Sequence, residues 1–224
     1  AARDGYGDAT RGDNIGNGNG NLEVVLADDD ALILEGLATI LGARDDISIL
    51  ATAKNGAQAV DRCRELKPQV AVLDIRMPVM DGIQAAGIML SEGLCAPLLL
   101  TTFDEPDLIS RALDVGAHGY ILKSTPPEQI YSAIATVAGG GTVFAPEIID
   151  FIRGAVHIPA NDVFAQLTQR ERDIVELIAH GLSNAQIANE LCLADGTVRN
   201  HISTILLKCG LEHRTQIAVR YYAG

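Results

Sequence analysis

The stretch Leu22-Glu23-Val24-Val25-Leu26-Ala27-Asp28-Asp29-Asp30 decides the fold. Its short apolar run is too brief for a helix, and it stops on three consecutive carboxylates. Such a run suits a strand buried on both faces, with polar groups where the chain leaves the sheet. Outward from it the same alternation repeats. Apolar runs at 47–53, 70–73, 98–100 and 119–122 are interleaved with amphipathic stretches at 31–41, 57–66, 83–91, 107–115 and 127–137. Asn55 with Gln58, and Thr125 with Glu128 across Pro126, carry the pattern of helix N-terminal boxes. Five strand–helix units in about 120 residues predict an α/β domain built on a five-stranded, parallel, doubly wound sheet.

The flanks read differently. Residues 1–21 hold six glycines and one large aliphatic residue, Ile15. That is too little apolar surface to offset chain entropy, so a disordered tail is expected there. The α/β domain is expected over 22–143. Beyond Gly139-Gly140-Gly141 the periodicity fades, and 144–165 reads as a linker with one short helix. From 166 to 224, Thr168 with Glu171 opens a helix that Gly181 stops, and Ser183 with Gln186 opens a second. A third is expected from about Gly196 to Lys208 and a fourth from about His213 to Tyr222. This small all-α unit has the form of a helix-turn-helix domain.

With 48% hydrophobic residues among 224, the chain is not disordered throughout. No uncharged apolar run approaches the ~20 residues that cross a bilayer, so a soluble protein without a membrane partner is expected. The start, Ala1-Ala2-Arg3-Asp4-Gly5, has no apolar signal core, and secretion is not expected. Cys63, Cys95, Cys192 and Cys209 form no CxxC pair. They read as reduced thiols of a cytoplasmic protein, not as a zinc site or a disulfide framework. The last 59 residues hold six basic and six acidic side chains, whereas the first 165 hold 11 and 23. The whole net charge of −12 therefore sits in the first part, which excludes a globally basic nucleic-acid binder but not a locally basic one.

In a parallel α/β sheet, functional groups collect at the carboxyl ends of the strands. Those ends carry Asp28, Asp29 and Asp30, then Asp74, then Thr101 and Thr102, then Lys123. Carboxylates converging in one crevice repel unless a cation sits among them, and hard oxygen ligands suit Mg2+. The plainer alternative is a set of solvated strand ends and helix caps. A lysine and a hydroxyl arriving from adjacent strands weigh against it.

These residues also carry a resemblance. Leu26-Ala27-Asp28-Asp29, the segment from Val72 through Asp74, Arg76 and Pro78 to Asp81-Gly82, Leu100-Thr101, and the segment from Gly116 through Tyr120 to Lys123 resemble the flavodoxin-like receiver domain of two-component response regulators. The resemblance implies that Asp74 accepts a phosphoryl group from a sensor histidine kinase. It further implies that Asp29, Asp74 and the carbonyl of Arg76 hold Mg2+, with Asp28 acting mainly through water. Thr101 and Lys123 would contact the phosphoryl oxygens, and Tyr120 would be the aromatic that turns inward when Thr101 moves. Phosphoryl transfer needs charge neutralisation and positioning more than acid–base chemistry, so this residue set suits it. Asp81-Gly82 reads as a helix cap beside a flexible turn. Arg76 and Phe103 stand where receivers tune phosphoryl lifetime, and the apolar Phe103 points to slow self-hydrolysis.

In the third helix of the all-α unit, Val198, Ile202, Ile205, Leu206 and Cys209 share one face, while Arg199, Asn200 and Ser203 project elsewhere. Arginine and asparagine suit guanine and adenine edges. A solvated polar face is the plainer reading. The segments from Leu167 to Val175, Gly181 to Ala188, Thr197 to Ile202 and Lys208 to Leu211 resemble the LuxR-type output domain. Together with the receiver motifs, the chain beyond the tail resembles the NarL/FixJ family of transcriptional regulators. That implies double-stranded DNA as a partner. Arg199, Asn200 and Ser203 would face bases or nearby phosphates, Thr197, Lys208 and Arg214 the backbone, and the last helix would join two subunits of a homodimer formed on activation. Asp195 is expected to substitute for Ala194 as a cap, and Leu207 points outward without a physical account.

The function expected on these grounds is transcriptional regulation switched by Mg2+-dependent phosphorylation of Asp74. The unphosphorylated receiver would cover the recognition helix or the dimer surface. Activity as an enzyme is not expected beyond, at most, self-dephosphorylation. The competing readings are a phosphorylation-independent regulator or interaction module and an aspartyl phosphatase. Arg76, where that phosphatase chemistry places a second aspartate, argues against the latter.

Overall fold

The structure is a computed structural model, and it describes residues 21–102, 106–155 and 163–224. The expected tail lies outside the described residues except for Asn21, whose side-chain amide donates to Ser48 Oγ. The expectation for Phe103 lies outside them too. No helix among the described residues is long and apolar enough to cross a membrane.

The first domain alternates β1 (Leu22–Ala27), α1 (Ala31–Gly42), β2 (Ile47–Ala53), α2 (Gly56–Leu66), β3 (Val70–Asp74), α3 (Gly82–Ser91), β4 (Ala96–Thr101), α4 (Pro106–Val115), β5 (Gly119–Leu122) and α5 (Pro127–Ala138). All strand pairs are parallel, in the order β2-β1-β3-β4-β5 with β6 (Val143–Phe144) added at the edge. The chain reverses direction across the sheet between β1 and β3, and the crevice outside their carboxyl ends is where such folds bind ligands. The central strands are apolar throughout because helices cover both faces. One core lies between the sheet and α2, α3 and α4, and the other between the sheet and α1 and α5.

Local caps explain where helices begin. Asp30 accepts from Leu32 N and Ile33 N, Asn55 from Gln58 N, and Asp81 forms a full capping box with Gln84. Thr125 does not cap α5. That helix starts at Pro127 behind Pro126, with no side-chain cap bond, because the proline rings already fix the entry geometry.

The stretch expected as a linker holds the one short helix expected there, but its first half packs into the core of the first domain. It opens with the end of β6 and with α6 (Pro146–Ala155), and Ile148 and Ile152 are fully buried in the core on the α4 side of the sheet. A two-residue strand is too short to show a period, whereas α6 carries Ile148, Ile149, Phe151 and Ile152 at helical spacing; what its sequence does not show is that this face packs on the sheet. Residues 156–162 lie outside the described residues.

The second domain holds α7 (Gln169–Ala179), α8 (Asn184–Glu190), α9 (Asp195–Cys209) and α10 (Arg214–Ala223) around Ile174, Ile178, Ile187, Val198, Ile205 and Ile217. Capping boxes at Thr168 and Ser183 start α7 and α8. Gly210, in the left-handed region at φ 64°, ends α9. The two domains share their packing. Val219, Tyr222 and Ala223 of α10 lie on the first domain's core, and Phe144 of β6 lies on the second domain's core.

Candidate functional site

At the carboxyl ends of β1, β3, β4 and β5 is a cavity of about 580 Å3 lined by Asp29, Asp74, Arg76, Thr101, Thr102 and Lys123, among others. Asp74 is the last residue of β3 and only 3% exposed, and Asp28, just past β1, is 1% exposed. Asp29 stands exposed beside them, and ligand atoms from all three carboxylates lie within 4.8 Å of one another. Lys123, just past β5, places its ammonium 2.8 Å from Asp28 Oδ2 and 2.9 Å from Asp74 Oδ2. Thr101 closes β4 and is buried. Asp30 also lines the cavity, but its Oδ1 is engaged in capping α1.

Burial pushes the Asp74 carboxyl above the usual carboxylate range, while the hydrogen bond from Lys123 pulls it back. Burial also disfavours the Lys123 charge, but its bonds to Asp28 and Asp74 outweigh that and raise its pKa. Two buried carboxylates facing one ammonium leave an excess of negative charge. Asp28 Oδ2 is enclosed and faces the Lys123 ammonium at 2.8 Å. Three clustered carboxylates around a single ammonium, an all-oxygen set, fit a small hard divalent cation of the Mg2+ kind.

The loop after Asp74 is built for position. Val79 sits at φ 70°, unusual for a β-branched residue, inside a tight turn in which Met80 N donates to the Pro78 carbonyl at 2.8 Å. Gly56 N, at the start of α2, donates to the Met80 carbonyl at 2.9 Å, so the loop is tied to that helix. Gly82 then passes so close to Asp74 that a Cβ there would lie 2.1 Å from the Asp74 carbonyl oxygen. The sequence shows Gly82 only as a turn residue. Its role beside Asp74 is a matter of approach, which no local pattern reports.

Tyr120 is already inward, 1% exposed, with its hydroxyl donating to the Ala112 carbonyl in α4. Burial pushes that phenol far above its ordinary range. Its ring stacks on Phe144 at 5.6 Å between centroids, and Phe144 meets the edge of Tyr222 in α10 at 6.3 Å. An aromatic file thus leads from β5 into the second domain.

The match to known families follows this division. Residues 24–135 match the response regulator receiver domain, and residues 165–221 match the bacterial regulatory proteins of the luxR family. The chain is 35% identical over 209 residues to transcriptional regulatory protein LnrK of Bacillus subtilis, covering 88% of this chain and 95% of that protein. It belongs to the LuxR-family response regulators. Transcriptional regulatory protein DesR of Bacillus subtilis is 35% identical over 199 residues, covering 89% of this chain and 96% of that one. Among solved structures, the response regulator ChrA of a heme-sensing two-component system shares 32% identity at a TM-score of 0.54, covering 90% of this chain and 96% of ChrA.

In this response regulator the outward face of α9 carries Thr197, Arg199, Asn200, Ser203 and Leu207, all exposed. Arg199 Nε donates to Asp195 at 2.8 Å, and Ser203 Oγ donates to the Arg199 carbonyl at 3.1 Å. Asp195 does not cap α9, which has no side-chain cap bond. It is spent on Arg199. Lys208 places its ammonium 2.8 Å from both carboxylate oxygens of the buried Glu171, and this holds the Glu171 carboxyl below the usual range. Arg214 is enclosed, donating to the Asn184 side chain and the Leu182 carbonyl, and burial lowers it to about 10. Lys208 and Arg214, expected at the DNA backbone, therefore tie α9 and α10 to α7 and α8 here.

Among the described residues the receiver packs on α10, and the outward face of α9 stays exposed. Thr215 Oγ1 donates to the Ala117 carbonyl at 2.9 Å, and Thr142 Oγ1 donates to the Ile178 carbonyl at 3.1 Å. The approach is close at two glycines: a Cβ at Gly116 would lie 2.6 Å from the His213 ring, and one at Gly141 2.3 Å from the Gly181 carbonyl oxygen. His118 is enclosed in the same seam. Burial, with Arg214 and His213 nearby, lowers its pKa to about 4 and keeps the ring neutral.

Proposed function

We propose that this response regulator is switched by phosphorylation of Asp74 and acts on double-stranded DNA as a homodimer in the cytoplasm. The observation that carries the reading is the Lys123 ammonium shared between Asp28 and Asp74, with Asp29 and Thr101 beside them. The Asp74 carboxylate attacks the phosphorus of a phosphohistidine on a sensor kinase. The P–N bond breaks, an O–P bond forms, and the imidazole nitrogen takes a proton. Asp28, Asp29, Asp74 and the Arg76 carbonyl would hold Mg2+, which supplies charge neutralisation when bound. Lys123 turns from pairing two carboxylates to pairing the phosphoryl oxygens, and Thr101 hydrogen-bonds them. The chain turns over no substrate of its own beyond, at most, hydrolysis of its acyl phosphate.

The switch then runs through α4. Because Tyr120 is already inward, its ring does not need to flip. A shift of Thr101 towards the phosphoryl group moves the start of α4, and with it the Ala112 carbonyl that holds Tyr120. Movement of Tyr120 disturbs Phe144 and frees Tyr222 and α10, the helix that joins subunits in this family reading. Incubation with acetyl phosphate and Mg2+ followed by Phos-tag electrophoresis tests the acceptor. A retarded band is expected for the wild type and none for Asp74→Asn; the same retarded band in both would refute Asp74 as acceptor.

A further inference from the structure

We propose that Cys63 and Cys95 form a peroxide-oxidisable dithiol, a modification site at the end of the receiver sheet remote from Asp74. Cys63 lies on α2 and is fully buried, and Cys95 immediately precedes β4 and is partly exposed. Their sulfurs are 3.7 Å apart, with the Cys95 thiol donating to Cys63. A disulfide needs about 2.05 Å, so closure asks the two sulfurs to approach by roughly 1.7 Å, within reach of side-chain rotation.

The backbone on both sides is pinned. Next to Cys63, Arg64 makes a two-pronged bond to Glu92 at 2.6 and 2.9 Å, tying α2 to the end of α3. The Cys63 carbonyl accepts from Lys67 N at 3.0 Å, and either side of Cys95 Leu94 N bonds to the Met89 carbonyl and Ala96 N to the Gln69 carbonyl. The pair is therefore held together by elements that do not depend on it. Cys192 and Cys209 belong to the other domain and share none of this arrangement.

The chemistry balances with a hydroperoxide as oxidant. The S–H of Cys95 points at Cys63, whose thiol this bond holds below its ordinary value despite burial, while donation and burial push Cys95 up. In the singly deprotonated pair the proton exchanges along this hydrogen bond, and the minor form with the thiolate on Cys95 is the one that solvent, and so peroxide, reaches. Its attack on hydrogen peroxide forms an S–O bond, breaks the O–O bond and releases hydroxide, which takes a proton to become water. Cys63 then attacks the sulfenic sulfur, the S–O bond breaks, and a second water leaves. Two thiols and one peroxide give one disulfide and two waters.

The test treats the folded full-length chain with hydrogen peroxide, blocks remaining thiols with iodoacetamide and maps peptides by mass spectrometry. The expected result is a Cys63–Cys95 cross-linked peptide, two hydrogens lighter than the dithiol pair and lost on reduction with dithiothreitol. It should form equally in Asp74→Asn, which separates this proposal from the phosphorylation reading. Recovery of both cysteines in the alkylated form after peroxide has oxidised Cys192 would overturn it, as would a cross-link that forms only in denaturant. The wild-type chain decides the matter, so no cysteine variant has to fold.

Discussion

A Cβ at Gly82 would meet the Asp74 carbonyl oxygen at 2.1 Å and its carbonyl carbon at 2.9 Å, both backbone atoms that cannot rotate away. Gly82→Ala should therefore displace the end of β3, destabilise the chain by about 1–3 kcal/mol in urea titration, and slow acetyl-phosphate labelling of Asp74. An alanine variant as stable and as readily labelled as wild type would refute this role. Glu171 makes a second residue-scale prediction, with a pH sign. Its carboxyl is held below 4.5 in the folded chain by Lys208, so the stability it contributes is present above the unfolded value and is lost as pH falls through the folded one. Glu171→Gln should cost about 1–2 kcal/mol at pH 7, and the gap to wild type should shrink below about pH 4. A gap independent of pH would show that packing, not charge, sets the cost. The pocket carboxylates were legible in the sequence because a strand end is a local event that follows an apolar run. The partner of Lys208 was not, because Glu171 lies 37 positions away and serves a capping box at the same time.

Among the elements, the sheet and its helices could be read from periodicity because each strand is long enough to show a continuous apolar run. The exceptions are β6, too short to show a period, and the docking of α6, expected only as a short helix within a linker. The seam between domains was the least legible part. Gly116 and Gly141 read as punctuation in the chain, yet each allows a backbone or ring from the other domain to approach. Thr215 and Tyr222 look like ordinary helix residues until α10 is placed on the receiver. Phe144 is the element-scale test of that seam, since it stacks on Tyr120 and meets Tyr222 edge-on. An aromatic pair contributes about 0.5–1.5 kcal/mol beyond its buried area. Phe144→Ala should therefore tighten binding of the unphosphorylated chain to an in vitro-selected duplex by roughly 2- to 10-fold, read by fluorescence anisotropy. Unchanged or weaker binding would mean that the aromatic file does not hold the closed arrangement.

At the scale of the molecule, the division of charge and the division of labour coincide. The acidic first part gathers three carboxylates around one lysine, and the neutral second part leaves the outward face of α9 exposed. What the receiver covers is α10. The proposed switch therefore lies in the availability of α10 for a second subunit, not in uncovering the outward face of α9. Hydrogen exchange of the full-length chain with Mg2+ and beryllofluoride, a stand-in for the phosphoryl group, tests that coupling most directly. The account predicts faster exchange in Arg214–Ala223 and in the 116–118 turn, with no change in Asp74→Asn. Slower exchange around Asp74 with α10 and that turn unaltered would contradict it.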